Sequence, residues 1–277
     1  MPFATITVDV DRDVSLPAKG TLHAVSKEKE GDTSPRFQSS LRGLEIVVSL
    51  LNDLDIKGTF FMEAKAASVI GEETDLADLL EGHEIASHGF EHEDLTGRDT
   101  GLPISQDDVY FILKDSRDLL KSIFGREPKG FRAPYLHVAD DVLDAVAEAG
   151  FDYDSSVAKD LSDVPPAPFR LPNRLMEVPL VKDRDEKGRR IYSYLWALHE
   201  GDRPVEDYLR LIRRSKSGFL VLATHSWHMV ETYSGGRLGQ EEIDAGLSRT
   251  REILEKAQEE GVEFVTIQEY LSEHMGR

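Results

Sequence analysis

Short apolar runs alternate with segments whose apolar residues recur at helical spacing along this chain of 277 residues. Short β-rich runs bounded by turn residues are typical of strands, whereas apolar residues three and four apart predict a helix. The pattern predicts strands at residues 3–10, 57–62, 83–87, 130–132, 151–154, 177–181, 219–223 and 263–266. It predicts helices at residues 37–54, 76–80, 107–124, 140–149, 205–215 and 241–260. The polar residues 12–36 are expected to form a long loop.

Strands that alternate with helices predict an α/β protein with a parallel sheet. About seven such units, without the glycine-rich turn of a dinucleotide-binding sheet, favour a barrel. We therefore expect a single, distorted β/α barrel of about seven strands over residues 1–277. In such a barrel the reactive side chains gather at the carboxyl ends of the strands.

Two aspartates, Asp9 and Asp11, stand at the end of the first predicted strand, and His88 and His92 follow the end of the third. Residues two apart in a strand point the same way, and histidines four apart share one face of a helical turn. Read singly, the aspartates fit a helix cap equally well, and the histidines fit a surface pair. Together they supply two imidazoles and one carboxylate for a divalent ion, and a second carboxylate as a base.

Five segments in order resemble the polysaccharide deacetylase family (NodB homology domain, carbohydrate esterase family 4), together with a matching second strand at residues 57–61. They are the segments at residues 7–11, 82–92, 132–135, 153–156 and 222–225. The resemblance covers roughly residues 5 to 270. One departure stands in the first segment, where Val10 separates two aspartates that are adjacent in the common form. This spacing resembles a subgroup with intracellular or peptidoglycan-active members.

The resemblance implies a role for each polar residue of these segments. Asp11, His88 and His92 would hold a divalent metal, most simply zinc, although cobalt, manganese, nickel or iron fit the same ligands. The resemblance makes Asp9 the base and the Tyr135 backbone N–H an oxyanion donor. From the chemistry of amide hydrolysis we expect Arg132 to pair with Asp9, His225 to be the general acid and Asp154 to orient it. We also expect Trp227 to contact a sugar ring, unless it packs in the core.

The amino-acid composition excludes several classes of partner and of binding site. Thirty-three basic and fifty-two acidic side chains give a net charge of −19, which disfavours nucleic acid as a partner. The sequence has no cysteine, which excludes disulfides and thiolate metal sites. The sequence has no apolar stretch long enough to span a membrane and no signal peptide at its start, so we expect a cytoplasmic protein. A homo-oligomer is compatible with these features.

These features predict a metal-dependent hydrolase that removes an N-acetyl or formyl group from an amino sugar or polysaccharide. One alternative is an allantoinase-like amidohydrolase acting on a small ureide or cyclic amide, which the absence of a signal peptide favours. Some relatives of that type look metal-independent, but the presence of both histidines argues for a metal here. Another is a barrel that binds carbohydrate without catalysis. That last alternative would need a missing motif residue, and none is missing.

Overall fold

The computed structural model describes residues 2–161, 165–215 and 218–276. The strands are β1 (Phe3–Val10), β2 (Ser15–Leu16), β3 (Val25–Ser26), β4 (Thr59–Met62), β5 (Glu84–Ser87), β6 (Gly130–Phe131), β7 (Tyr153–Asp154), β8 (Ala158–Asp160), β9 (Phe169–Arg170), β10 (Met176–Glu177), β11 (Leu180–Arg184), β12 (Arg190–Tyr192), β13 (Phe219–His225), β14 (Glu231–Thr232), β15 (Gly236–Arg237) and β16 (Glu263–Phe264).

The helices are α1 (Gln38–Asp53), α2 (Ala64–Ile70), α3 (Leu76–Leu79), α4 (Gln106–Phe124), α5 (Asp140–Glu148), α6 (Trp196–His199), α7 (Val205–Arg214), α8 (Gln240–Glu259) and α9 (Ile267–His274). Local chemistry explains their bounds. In α4, for example, the Ser105 side chain accepts a hydrogen bond from the Asp108 N–H at the start, and Gly125 ends the helix with a φ of 66°. Among the described residues, no helix is long and apolar enough to cross a membrane.

The main sheet has the strand order β12-β11-β13-β1-β4-β5-β6-β7-β10-β9. Neighbours from β11 to β10 are parallel, and an antiparallel strand flanks each end. Only Val178 and Pro179 separate β10 from β11, and β8, which follows β7, pairs with β11. Counting β7–β8 and β10–β11 as one bent strand each, β1, β4, β5, β6, β7–β8, β10–β11 and β13 make seven members of a ring. The predicted distorted β/α barrel is confirmed.

Alternation along β1 sorts its side chains between two environments. Ile6, Val8 and Val10 belong to the core between sheet and helices, which also contains apolar residues of α1 and α8. Since side chains alternate across a strand, Thr7 and Asp9 face the other way, toward the barrel interior. There Phe61 of β4 and Val221 and Ala223 of β13 form a second apolar cluster. Asp9 therefore lies on the interior side of the sheet and not on the side of the helices.

The long loop at residues 12–36 is more ordered than its polar sequence predicts. It contains the short antiparallel pair β2 and β3, and it begins with a buried ion pair between Arg12 and Glu63. The Arg12 guanidinium also donates to the backbone oxygens of Ala24 and Glu91, which ties the loop to the turn before His92. The reason for the difference is that tertiary partners, distant in sequence, satisfy the loop's backbone.

Candidate active site

Sheet register brings Asp9, of the first of the five segments, beside His225, of the last segment. Asp9 pairs with His225 across β1 and β13, and with Phe61 across β1 and β4. His88 directly follows β5, the next strand beyond β4. Because these strands are parallel, their carboxyl ends lie at one edge, and the predicted clustering of Asp9, His88 and His225 at that edge follows.

Asp11, His88 and His92 form a compact group of ligand atoms. One atom from each side chain can be chosen so that all lie within 4.8 Å of one another, and all three residues are buried. The two imidazole rings lie 4.9 Å apart, edge to face. The helical turn expected for residues 88–92 is wrong: the segment is irregular, and Gly89 and His92 have φ angles of 80° and 56°. The Glu93 carboxylate stabilises this turn by accepting the N–H groups of Phe90 and Glu91.

Outer hydrogen bonds leave the inner nitrogens of both rings free for a metal. The His88 Nδ1–H donates to the Arg132 carbonyl oxygen at 2.8 Å, so Nε2 keeps its lone pair. The His92 Nδ1 is hydrogen-bonded to the Ser15 Oγ at 3.0 Å, and its Nε2 lies 3.3 Å from an Asp11 carboxylate oxygen. Partners of this kind fix the tautomer and direction of metal-binding imidazoles.

The Asp11 carboxyl group is fully buried, and neither of its oxygens has a hydrogen-bond partner among the described residues. Burial raises the pKa of Asp11 well above its usual range, and the charges of Glu63 and Asp9 raise it further. Burial also lowers the pKa of His92 well below its usual range, which keeps that ring neutral. An unpartnered carboxylate beside two neutral imidazoles is the donor set of a divalent ion, so these residues fit the implied metal.

Asp9 has a different environment. One carboxylate oxygen accepts from the Arg132 guanidinium at 2.7 Å, and the other accepts from the Tyr194 hydroxyl at 2.5 Å. Burial raises the pKa of Asp9, but the charge of Arg132, the charges of His88 and His225 and the Tyr194 hydrogen bond together outweigh it. The pKa is therefore held below its ordinary value, and Asp9 is ionised at neutral pH.

Arg132 is fully buried, which excludes an ordinary surface ion pair. Its guanidinium also donates to the Thr7 Oγ1 and to the backbone oxygen and Oγ of Ser155. Its guanidinium carbon lies 4.1 Å from the centre of the Phe61 ring. With its donors engaged and its flat face covered, the arginine can hold Asp9 in one position.

Asp154 has other partners than the expected His225. Its carboxylate accepts from the Ser156 N–H at 2.9 Å and from the Ser156 Oγ at 2.7 Å. The Ser156 Oγ in turn accepts the Ala133 N–H at 2.8 Å. Glu177 is hydrogen-bonded to Asp154, and burial together with the Asp154 charge raises the pKa of Glu177 to about 11. Asp154 thus stabilises the turn after Arg132. The prediction that Asp154 orients His225 is wrong, because its observed partners are Ser156 and Glu177.

The hydrogen-bond partner of the His225 ring is Tyr194, whose hydroxyl lies 3.1 Å from Nε2 and 3.4 Å from Nδ1. Burial lowers the pKa of His225 well below its usual range. Trp227 stacks on this ring at 4.8 Å between centroids and is itself buried. The expected role of Trp227 at a sugar ring stays a prediction; the observed contact is packing against His225.

Tyr135 has left-handed backbone angles, φ 58° and ψ 7°, directly after Pro134. Its ring meets the His92 ring edge to face at 4.6 Å. The tyrosine therefore covers the metal-binding group from the side of the cavity. Its expected part as an oxyanion donor stays a prediction.

A cavity of about 510 Å³ opens onto these residues. Its remaining walls are mainly aromatic and aliphatic, and its lining residues are Asp9, Asp11, Ser15, Leu16, Pro17, His88, His92, Ala133, Tyr135, Leu136, Arg190, Ile191, Tyr192, Tyr194, Trp196, Ala197, Arg203, Tyr208, His225 and Trp227. Two of these residues, Ser15 and Tyr194, were not predicted from the sequence. Ser15 lies in the polar loop and Tyr194 in an irregular segment, and neither position shows a periodicity or motif that would have revealed it.

Comparisons with known proteins relate part of this chain to known families. The family model described as polysaccharide deacetylase matches residues 42–153. Over these residues the chain matches the polysaccharide deacetylase family. The predicted resemblance to this family is therefore confirmed. The subgroup suggested by the spaced aspartates Asp9 and Asp11 stays a prediction.

Individual relatives extend this assignment. The chain is 32% identical over 155 residues to a peptidoglycan deacetylase-like protein of Gibberella zeae, an alignment that covers 55% of this chain and 44% of that protein. The match thus spans less than half the length of that relative. A polysaccharide deacetylase structure from Mycobacterium smegmatis superimposes with a TM-score of 0.66 at 21% identity, over 97% of this chain and 88% of that one. The allantoinase PuuE superimposes with a TM-score of 0.62 at 16% identity, over 98% and 91%. These two superpositions show a shared fold.

A second family model, glycosyl hydrolase family 57, matches residues 102–277, and by its extent it assigns this part of the chain to that family as well. Glycosidases commonly place two carboxyl groups on either side of the scissile bond. In the described part of the chain, the carboxylates that line the cavity are Asp9 and Asp11, both outside that match. Among the described residues, the part of the cavity that falls within this second match therefore supplies no such pair of carboxyl groups.

Proposed function

We propose that this protein hydrolyses the N-acetyl group of an amino sugar with the help of a divalent metal ion. The observation that supports it most is the unpartnered, buried carboxylate of Asp11 beside the free nitrogens of His88 and His92. A buried charge without a partner is costly, and a cation held by the three side chains removes that cost. The ionised Asp9 lies next to these three side chains but is not one of the proposed metal ligands, because its carboxylate is bound by Arg132.

Residues of the chain itself carry out the proton transfers of the reaction. Asp9 is ionised and held by Arg132, so it accepts a proton from the attacking water. His225 stands beside Asp9 at the end of β13 and gives a proton to the leaving amine. The apolar cavity walls exclude other water molecules, which strengthens the interaction of these charges.

Asp11, His88 and His92 would hold the ion, and zinc suits two imidazoles and one carboxylate. When bound, such an ion makes water more acidic and polarises the acyl oxygen of the substrate. Cobalt, manganese, nickel and iron bind to similar ligands, so the metal itself is to be identified by elemental analysis of the purified protein.

The test is acetate release from N-acetylglucosamine oligomers, measured with and without a chelator. We expect turnover that is lost on chelation and restored by added zinc or another divalent ion. Asp9→Asn should lower kcat by at least about 100-fold because it removes the base. Asp53→Asn, a change of an exposed aspartate that pairs with Arg251, is the matched control. Normal turnover in Asp9→Asn would overturn the mechanism.

A second candidate function is hydrolysis of a small ureide or cyclic amide. The cavity favours it, since about 510 Å³ lined mainly by apolar residues is the size and character of a site for a small molecule. Allantoin in the same assay decides between the two: product formed from allantoin and no acetate from the oligomers would replace the first proposal by the second.

A further inference from the structure

Tyr194 lies between the residues proposed as base and acid. Its hydroxyl is 2.5 Å from a carboxylate oxygen of Asp9 and 3.1 Å from the Nε2 of His225. A tyrosine hydroxyl has one proton to donate and lone pairs to accept with. Since a carboxylate can only accept, the Tyr194 proton points to Asp9 while Asp9 is ionised. Once Asp9 carries a proton, it can donate to the Tyr194 oxygen, and the hydroxyl can turn its own proton to the Nε2 of His225.

The backbone around Tyr194 is fixed to the strand that ends in His225. The Ala223 N–H donates to the Ser193 carbonyl at 2.9 Å, and the Leu195 N–H donates to the Ala223 carbonyl at 2.7 Å. The Tyr208 hydroxyl donates to the Tyr194 carbonyl at 3.2 Å. Tyr194 and His225 are thus held on two adjoining segments in one register, so the hydroxyl can stay between its two partners.

We propose that Tyr194 passes the proton from Asp9 to His225, an inference that rests on the proposed hydrolysis. Attack of water on the acyl carbon forms a C–O bond, and Asp9 takes the water's proton. The protonated Asp9 then donates to the Tyr194 oxygen, and the hydroxyl turns its own proton toward Nε2 of His225, which carries a lone pair. Asp9 gives its proton to the Tyr194 oxygen as the Tyr194 O–H proton passes to this nitrogen. His225 then protonates the leaving nitrogen as the C–N bond breaks. Tyr194 is a neutral phenol before and after the transfer, and both Asp9 and His225 regain their starting states.

Such a relay explains how one proton can serve two residues that have no direct hydrogen bond to each other among the contacts of the described chain. Asp9 has its two oxygens engaged by Arg132 and Tyr194, and His225 has Tyr194 as its hydrogen-bond partner. The hydroxyl is therefore the link between them that the geometry provides.

The experiment compares Tyr194→Phe with wild type on two substrates in the presence of metal. The first is the acetylated amino-sugar oligomer, whose leaving amine needs a proton, and the second is p-nitrophenyl acetate, whose leaving group departs as an anion. For the amide we expect kcat to fall at least about 100-fold with KM within threefold. For the ester we expect the variant to stay within about tenfold of wild type. Tyr110→Phe, on α4 and away from the cavity, is the matched control.

The outcomes separate the relay from the proposed function. A wild-type protein that hydrolyses neither substrate would remove the proposed function and the relay with it. Wild-type turnover that persists within threefold in Tyr194→Phe would overturn the relay alone. Equal losses on amide and ester would also overturn it, because the hydroxyl would then only position Asp9. Metal content and the thermal midpoint of Tyr194→Phe should match wild type, which excludes misfolding as the cause.

Discussion

Two buried carboxyl groups at opposite ends of the parallel strands differ in their hydrogen-bond partners. Glu84 begins β5, and its oxygens accept from the hydroxyls of Thr59 and Tyr153, both at 2.7 Å, and from the Gln268 N–H at 3.0 Å. Asp11 follows β1 at the other end of the parallel strands, and its oxygens accept no hydrogen bond within the described chain. Burial raises the pKa of both groups, but at Glu84 the three hydrogen bonds oppose the effect.

The difference shows how to tell a structural carboxylate from a ligand in this fold. A buried polar group whose partners are complete contributes to the free energy of folding. A buried carboxylate without partners lowers stability unless something outside the chain compensates it. Glu84 therefore has a structural role and connects β4, β7 and α9. The carboxylate of Asp11, in contrast, is free to bind a cation.

The largest effect is expected from Asp11→Ala. Loss of a ligand should weaken metal binding by more than the roughly 10–100-fold that loss of an outer hydrogen-bond partner costs, and turnover should fall accordingly. The metal-free variant should be no less stable than metal-free wild type, because an uncompensated buried carboxyl has been removed. Titration calorimetry with zinc and urea unfolding measure the two quantities. A large drop in metal-free stability would contradict the comparison.

Glu84→Ala should give the converse result. The two hydroxyls and the Gln268 N–H lose their acceptor, so the free energy of unfolding should fall by about 3 kcal/mol. Metal affinity should stay within about threefold of wild type, because Asp11, His88 and His92 are at the opposite strand ends. Urea unfolding and the same calorimetric titration provide the check. Loss of metal in a variant that is still folded at the assay temperature would mean that the two ends are coupled.

The smallest effect is expected from His83, the residue before Glu84. Its Nδ1 accepts the Gly58 N–H at 3.1 Å, and burial lowers its pKa to about 4. The unfolded chain takes up a proton there below about pH 6.5, and the folded chain takes it up only near pH 4, so stability falls as the pH drops through this window. His83→Asn, which keeps an acceptor, should reduce that loss by about 1–2 kcal/mol. Urea unfolding at pH 8 and pH 4.5 checks it, with the exposed His23→Asn as control; an unchanged acid dependence would contradict the assignment.

The sequence was sufficient to predict the barrel and the clustering of the candidate metal ligands for one physical reason. Strand and helix periodicities are local, and in a parallel sheet every residue at a carboxyl strand end meets the others. Asp9, Asp11, His88 and His225 could therefore be brought together before their contacts were known. The element bounds shifted by one to three residues, as at β4 and α1, because helix and strand ends depend on caps and neighbours.

Tertiary structure alone decided what each group touches. In the folded protein Asp154 is hydrogen-bonded to Ser156 and Glu177 instead of His225. Residues 88–92 form an irregular turn, and Tyr194 lies between Asp9 and His225. These contacts join residues up to 185 positions apart in the chain, and they depend on hydrogen-bond geometry that no periodicity encodes. The sequence by itself determined which chemical groups stand at the strand ends. Which of them are satisfied, and which are left open for a metal or a proton, depended on the packing around them.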